Sequence, residues 1–341
     1  MVALLNLLIK GNHKGLPRRK GNHKGLPLLI LLSTNLCAAS YPGLPSRDQN
    51  PLLIPYYIPT VFSSDQQGWS YSHDLFITNT LQEEKKSEEI LTIDAESLRY
   101  DLNLAYQQQD WLFTLQLPYI SHNTGELDSL IENWHDFFQL PEGGRKSNPN
   151  NRLNIDYQRD GEQVFSLQQS TSGLADIKIA AAYQFSKNTK QNTQIWLGVD
   201  LPTAESSSQL GNDGLDLAVW ISHNRNLNSQ LNVYGMMGLS LIDDSGPLKG
   251  EVNSVIGFAQ GGLNYQFTDR YGVLLQADMH SAAVKNTRLK ALDHSLQMQF
   301  GLVIKNLVPE HQMTLFFSED VLVGSAPDIT FGLELRMAID R

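Results

Sequence analysis

From about residue 69 onward, apolar and polar residues alternate in short stretches. The last of these, Phe331-Gly-Leu333-Glu-Leu335-Arg-Met337, stops four residues before the chain ends. A period of two gives a β-strand one apolar face and one polar face. The pattern predicts 14 strands: 69–79, 90–106, 111–119, 151–159, 163–170, 174–185, 193–201, 214–223, 230–241, 254–267, 270–281, 294–305, 312–318 and 328–339. Most are longer than the globular average of about five or six residues. They match the roughly nine to eleven tilted residues that cross a bilayer. The expected fold is all-β: a closed antiparallel transmembrane barrel over residues 69–341 with 14 strands (12 as second choice) and one short loop helix.

Two regularities separate this from a secreted sandwich. Connections after even strands are short, as at Gln107–Asp110, Arg159–Glu162 and Thr268–Asp269, whereas most of those after odd strands are longer, as at 120–150, 202–213, 242–253 and 282–293. That contrast is expected of periplasmic turns and extracellular loops. Aromatic residues also crowd the short-turn ends: Tyr71, Tyr106, Trp111, Tyr157, Tyr183, Phe185, Tyr265, Phe267 and Tyr271. An interfacial girdle needs amphipathic rings at one level. An even strand number leaves both termini on the periplasmic side.

The segment before the strands reads differently. Residues 1–39 hold six of the 26 Lys and Arg and no acid, and close with Leu28-Leu-Ile-Leu-Leu32 and then Leu36-Cys-Ala-Ala39. A basic stretch, a short apolar run and small residues make a signal peptide, with cleavage after Ala39. Within it, Lys10-Gly-Asn-His-Lys-Gly-Leu-Pro17 recurs as Lys20 to Pro27; a local duplication accounts for this, and His13 and His23 carry no metal role. Residues 40–68 contain Pro42, Pro45, Pro51, Pro55 and Pro59 and are expected to be extended and outside the sheet. A plug in the lumen, a strip along the periplasmic rim and a disordered lead-in all fit that composition.

Without the leader, 20 basic groups face 36 acidic ones, a net of −16, and the single cysteine is gone. Such an acidic chain is a poor nucleic-acid binder. Absence of cysteine suits passage through an oxidising compartment. The implied location is the outer membrane of a Gram-negative bacterium. The implied partners are lipid and lipopolysaccharide, the barrel-assembly machinery during insertion, and a small-molecule solute.

Placing the more apolar parity outward leaves a polar inner set of Arg99, Asp101, Asn103, Asp156, Asp176, Lys178, Asp216, Gln276, Asp278, Glu334 and Arg336. Charges facing lipid at mid-membrane would cost about 2–4 kcal/mol each for Arg or Lys. Two readings stay open: a wet channel with mild cation or neutral preference, or buried ion pairs bracing a closed barrel.

Between the third and fourth strands, Leu127, Leu130, Ile131, Trp134 and Phe138 recur at helical spacing, with Asn123 and Glu126 as a capping box. This amphipathic helix is a candidate gate at the barrel mouth, with a stabilising rim helix as the alternative. The run Leu127-Asp128-x-x-Ile131-x-x-x-His135-x-x-Phe138-x-Leu140-Pro141 with Arg145 resembles the hallmark of the Gram-negative outer-membrane domain-of-unknown-function family 3187. The resemblance implies an outer-membrane barrel without an assigned activity. Ser172-Gly-Leu-Ala-Asp176 and Leu201-Pro-Thr203 are similar to segments of barrels that import fatty acids or aromatic compounds. A terminal aromatic, common in chains inserted by the barrel-assembly machinery, is missing from Ala338-Ile-Asp-Arg341.

Catalytic chemistry finds no footing. His135 and Asp136 are adjacent, so on a helix they point about 100° apart, and no serine sits in a hydrolase pattern. His122, Glu126 and His135 lack firm metal-ligand spacing. Asp243-Asp244 and Glu319-Asp320 read as solvated loop acids. The expectation is a passive channel for small solutes, hydrophobic ones included; a barrel that only supports the envelope is the alternative. No cofactor and no enzyme activity are expected.

Overall fold

The computed structural model describes residues 43–60, 67–125, 151–188, 190–306 and 311–338. Its strands are β1 (Gly68–Lys86), β2 (Glu89–Gln108), β3 (Trp111–Asn123), β4 (Asn154–Arg159), β5 (Glu162–Leu167), β6 (Thr171–Leu174), β7 (Ile177–Lys187) and β8 (Gln191–Leu201). They continue with β9 (Asp216–Asn226), β10 (Leu231–Leu241), β11 (Val255–Gln266), β12 (Tyr271–His280), β13 (Ser295–Lys305), β14 (His311–Asp320) and β15 (Ile329–Ala338). Twelve of them, β1 to β3 and β7 to β15, close into one antiparallel ring. The last pairs with the first from Ser70↔Ala338 to Asn79↔Ile329. No helix among the described residues is long and apolar enough to cross a membrane.

The ring has 12 strands, not the first-choice 14. The predicted strands 151–159 and 163–170 exist as the hairpin β4–β5, which lies outside the ring. The β1–β2 hairpin overshoots its neighbours, and β4 pairs with the overshoot of β2, from Glu89↔Arg159 to Asp94↔Asn154. Alternation reports that one face is dry, but not whether lipid or protein keeps it dry. On β4 the dry face is protein: Ile155 and Tyr157 are buried with Leu91, Ile93 and Phe165. Two details fall with this correction. Tyr157 belongs to no girdle, and the Arg159–Glu162 turn lies at the long-loop end. The expected strand 174–185 is β7, paired to one half of β3, while the short β6 just before it, which the pattern did not predict, pairs with the outer end of β3.

Along each ring strand the burial alternates as the residue pattern demands. On β8, Gln194, Trp196, Gly198 and Asp200 are buried, while Ile195 and Leu197 are exposed. The exposed set is apolar around the ring, with Val219, Met237, Val273 and Leu302 among its members. This outer face suits hydrocarbon, the only solvent that favours so many apolar side chains pointing away from the protein. At the short-turn end the rings meet in pairs, Trp69–Tyr106 at 4.8 Å, Trp111–Tyr183 at 5.1 Å and Phe267–Tyr271 at 6.4 Å. All belong at the level where an aromatic belt sits.

Candidate functional site

The lumen is filled by the chain itself. Residues 43–60 lie inside the ring, nearly all of them buried, and form no ladder with the wall. Proline-rich chain cannot donate regularly to a ladder, so wall side chains satisfy the segment instead. Gln276 accepts from the Leu44 amide at 2.9 Å and donates to the Leu44 carbonyl at 3.2 Å. Gln260 donates to the Ser46 carbonyl at 2.6 Å. His280 Nε2 pairs with Asp48 Oδ2 at 3.0 Å. The segment then turns, with the Leu53 and Ile54 amides both donating to the Asn50 carbonyl. At the turn, Asn50 donates to the Ala291 carbonyl and Gln209 donates to the Pro51 carbonyl, so loops of the long-loop end hold the bend. Returning along β8 and β9, the Tyr57 amide donates to Asp216 at 3.0 Å. Beneath Tyr57 the wall carries Gly198, where a Cβ would overlap the tyrosine hydroxyl.

Most of the polar residues expected to face inward are buried inside the ring. Arg99 Nε pairs with Asp101 at 2.9 Å, its guanidinium 5.7 Å from the Phe76 ring centroid, and Asp101 also accepts from Gln116. Asn103 donates to Asp74 at 2.6 Å. Lys178 pairs with Asp200 at 2.9 Å, and Arg336 pairs with Glu334. Asp278 is buried on β12 two residues before His280. Two residues have other tasks. Asp176 precedes β7 and accepts the amides of Thr203, Ala204 and Asn212, so it organises the 202–215 loop. Asp156 sits on β4, outside the ring, accepting from Gln158 and Gln163.

Several functional partners escaped sequence reasoning. Asp74 and Asp200 share the inward parity of their strands and were readable. His280 shares the inward parity of Gln276 and Asp278 on β12 and was readable too; Arg47 and Asp48 were not, because the proline-rich segment has no periodicity to say what it touches.

Above the ring, the overshooting β1–β2 hairpin, β4–β5 and three loops form a roof. Arg159 bridges Glu89 and Glu251, and Glu89 also accepts from Tyr157 and Thr287. Burial alone would lower the Arg159 guanidinium, but Tyr157, Glu89 and Glu251 outweigh it and hold the group above its ordinary value. Of the loop acids, Asp244 accepts from the Gly250 amide and lies 3.5 Å from Lys285. His122 is a satisfied interior histidine, with Nδ1 at 2.8 Å from Ser97 Oγ. The candidate gate, with Leu127, Asp128, Ile131, Trp134, His135, Phe138, Pro141 and Arg145, lies outside the described residues.

The family model described as "Protein of unknown function (DUF3187)" matches residues 45–339. No curated protein matches the chain. Among solved structures, the COG4313 outer membrane channel from Pseudomonas putida F1 superposes with a TM-score of 0.54 at 12% identity, covering 83% of this chain and 100% of the other. The NanC porin gives 0.45 at 8% identity, covering 78% and 100%. The P. putida toluene transporter TodX gives 0.39 at 9%, covering 86% and 94%. At such identities the first of these likenesses speaks for the barrel fold, and the other two carry no argument.

Proposed function

The chain belongs to the family described as protein of unknown function (DUF3187), and from that premise we propose that it is an outer-membrane barrel passing small solutes passively once residues 43–60 are displaced. One observation carries this reading. The material that fills the lumen is a separate segment without ladder bonds to the wall, so removing it leaves every ring strand paired. A barrel serving only as a scaffold gains most from interior side chains that pack on each other, and has no need of a removable core. The fold likeness to an outer-membrane channel supports the same reading. In this proposal a cleaved leader delivers the chain, the barrel-assembly machinery inserts it, and lipid and lipopolysaccharide surround the exposed apolar face.

The test is swelling of sugar-loaded liposomes or planar-bilayer conductance, comparing the mature chain with a variant lacking residues 43–60. The deletion is expected to raise solute flux well above the parent. Folded barrels that remain sealed without the segment would overturn the channel and leave the envelope scaffold, which the interior ion pairs Arg99–Asp101 and Lys178–Asp200 favour.

A further inference from the structure

Between the descending limb of the inner segment and the wall strands β2, β3, β7, β8 and β9 lies a pocket. It has about 560 Å³ of space free of atoms, part of it open to solvent. Its lining combines two features.

The first is an aromatic platform. Trp196 and Trp220 are register partners on β8 and β9, with ring centroids 5.3 Å apart and planes 7° from parallel. The Trp196 indole N–H donates to Ser222 at 2.9 Å, which fixes that ring. Both indoles point inward, where a lipid-facing role is ruled out.

The second feature is a cation short of a partner. Arg99 and Lys178 line the pocket but are engaged by Asp101 and Asp200. Arg47 is 2% exposed, and its Nη2 donates to the Ile54 carbonyl at 3.0 Å. Its Nη1 has no hydrogen-bond partner among the described residues, and Asp200, Asp48 and Asp278 act on the guanidinium through space without a direct ion pair there. A buried donor left unmade costs about 1–3 kcal/mol, more for a charged group. A guanidinium beside flat apolar rings is completed by a planar anion that accepts from its fork while its own ring lies on the indoles.

We propose that this pocket binds a small carboxylate carried on a six-membered ring, the carboxylate on Arg47 and the ring face against the Trp196–Trp220 pair. The proposal rests on the channel reading, since it names the class of solute that such a channel would take. Two sources share that chemistry, aromatic acids and sugar acids.

Isothermal calorimetry on the folded mature chain in detergent would use benzoate and glucuronate as probes, with acetate and benzyl alcohol as controls lacking the ring or the charge. Benzoate or glucuronate should bind saturably, about tenfold or more tighter than either control, as expected for a charge-assisted contact made at a buried site. The tighter probe identifies the source. Arg47→Gln and, independently, Trp220→Leu should each weaken binding at least about tenfold, with folding checked by the heat-dependent gel shift. No saturable binding of either probe, equal binding of a control, or unchanged affinity in both variants would overturn the site. Calorimetry reads occupancy and not passage. A sealed barrel that binds removes the channel and keeps the site, and a conducting barrel that binds neither probe does the reverse.

Discussion

His280 at the end of β12 holds Asp48 of the inner segment, Nε2 to Oδ2 at 3.0 Å, with both side chains 1% exposed. The pair joins residues far apart in the chain at a point where water cannot substitute for either partner. Removing one member of a buried pair typically costs about 3–5 kcal/mol, and here the cost falls on docking of the segment and not on the ring. Asp48→Ala should therefore loosen residues 43–60 while the barrel stays folded. Trypsin provides the readout, because Arg47 is buried and protected in the docked state. Cleavage after Arg47, followed by mass spectrometry, should accelerate markedly in the variant. Unchanged protection would show that the pair does not latch the segment.

Two wall glycines separate docking from barrel stability. At Gly198 a Cβ would overlap the hydroxyl of Tyr57, which belongs to the inner segment. At Gly332 it would overlap the ring of Phe316, which belongs to the neighbouring strand β14. Overpacking a filled interior usually costs about 1–3 kcal/mol. Gly198→Ala should thus expose Arg47 to trypsin with little change in the heat-induced gel shift. Gly332→Ala should lower the temperature of that shift and leave Arg47 protected. If both variants behave alike, the segment and wall unfold as one unit.

Lys178 and Asp200 face each other across β7 and β8 at 2.9 Å, and the Asp200 carboxylate has no other partner among the described residues. Lys178→Met leaves that carboxylate buried without its cation and should destabilise the barrel by about 3–5 kcal/mol. The double change Lys178→Met with Asp200→Leu should recover most of the loss, since two apolar side chains need no partner. Denaturant unfolding from lipid vesicles checks this. A double variant as weak as the single one would mean that packing, and not the orphaned charge, sets the cost.

The barrel was legible because its rule is local: each strand states its own wet and dry faces, as Leu197, Val199 and Leu201 do opposite Trp196, Gly198 and Asp200. What lay on the dry side was not local. Ile155 and Tyr157 alternate as well as any ring strand, yet they cover Leu91 and Ile93 in a protein roof. The count of strands turned on that difference. The site was half legible for the same reason. Arg99, Asp101 and Lys178 follow from strand parity, whereas Arg47 and Asp48 sit in a segment whose contacts depend entirely on the tertiary fold.

Exposure alone does not say which solvent a side chain meets, and two residues test it. Leu197 points outward from the middle of β8 at 64% exposure, and Val323 lies on the β14–β15 loop at 75%. If lipid surrounds the ring, Leu197→Arg places a charge near mid-membrane and should cost about 2–4 kcal/mol. Val323→Arg stays beyond the strand ends and should move stability by no more than about 0.5 kcal/mol. Unfolding of both variants in lipid vesicles gives the comparison. Equal small effects at the two positions would mean that water, and not hydrocarbon, bathes β8, and the membrane assignment would fail with it.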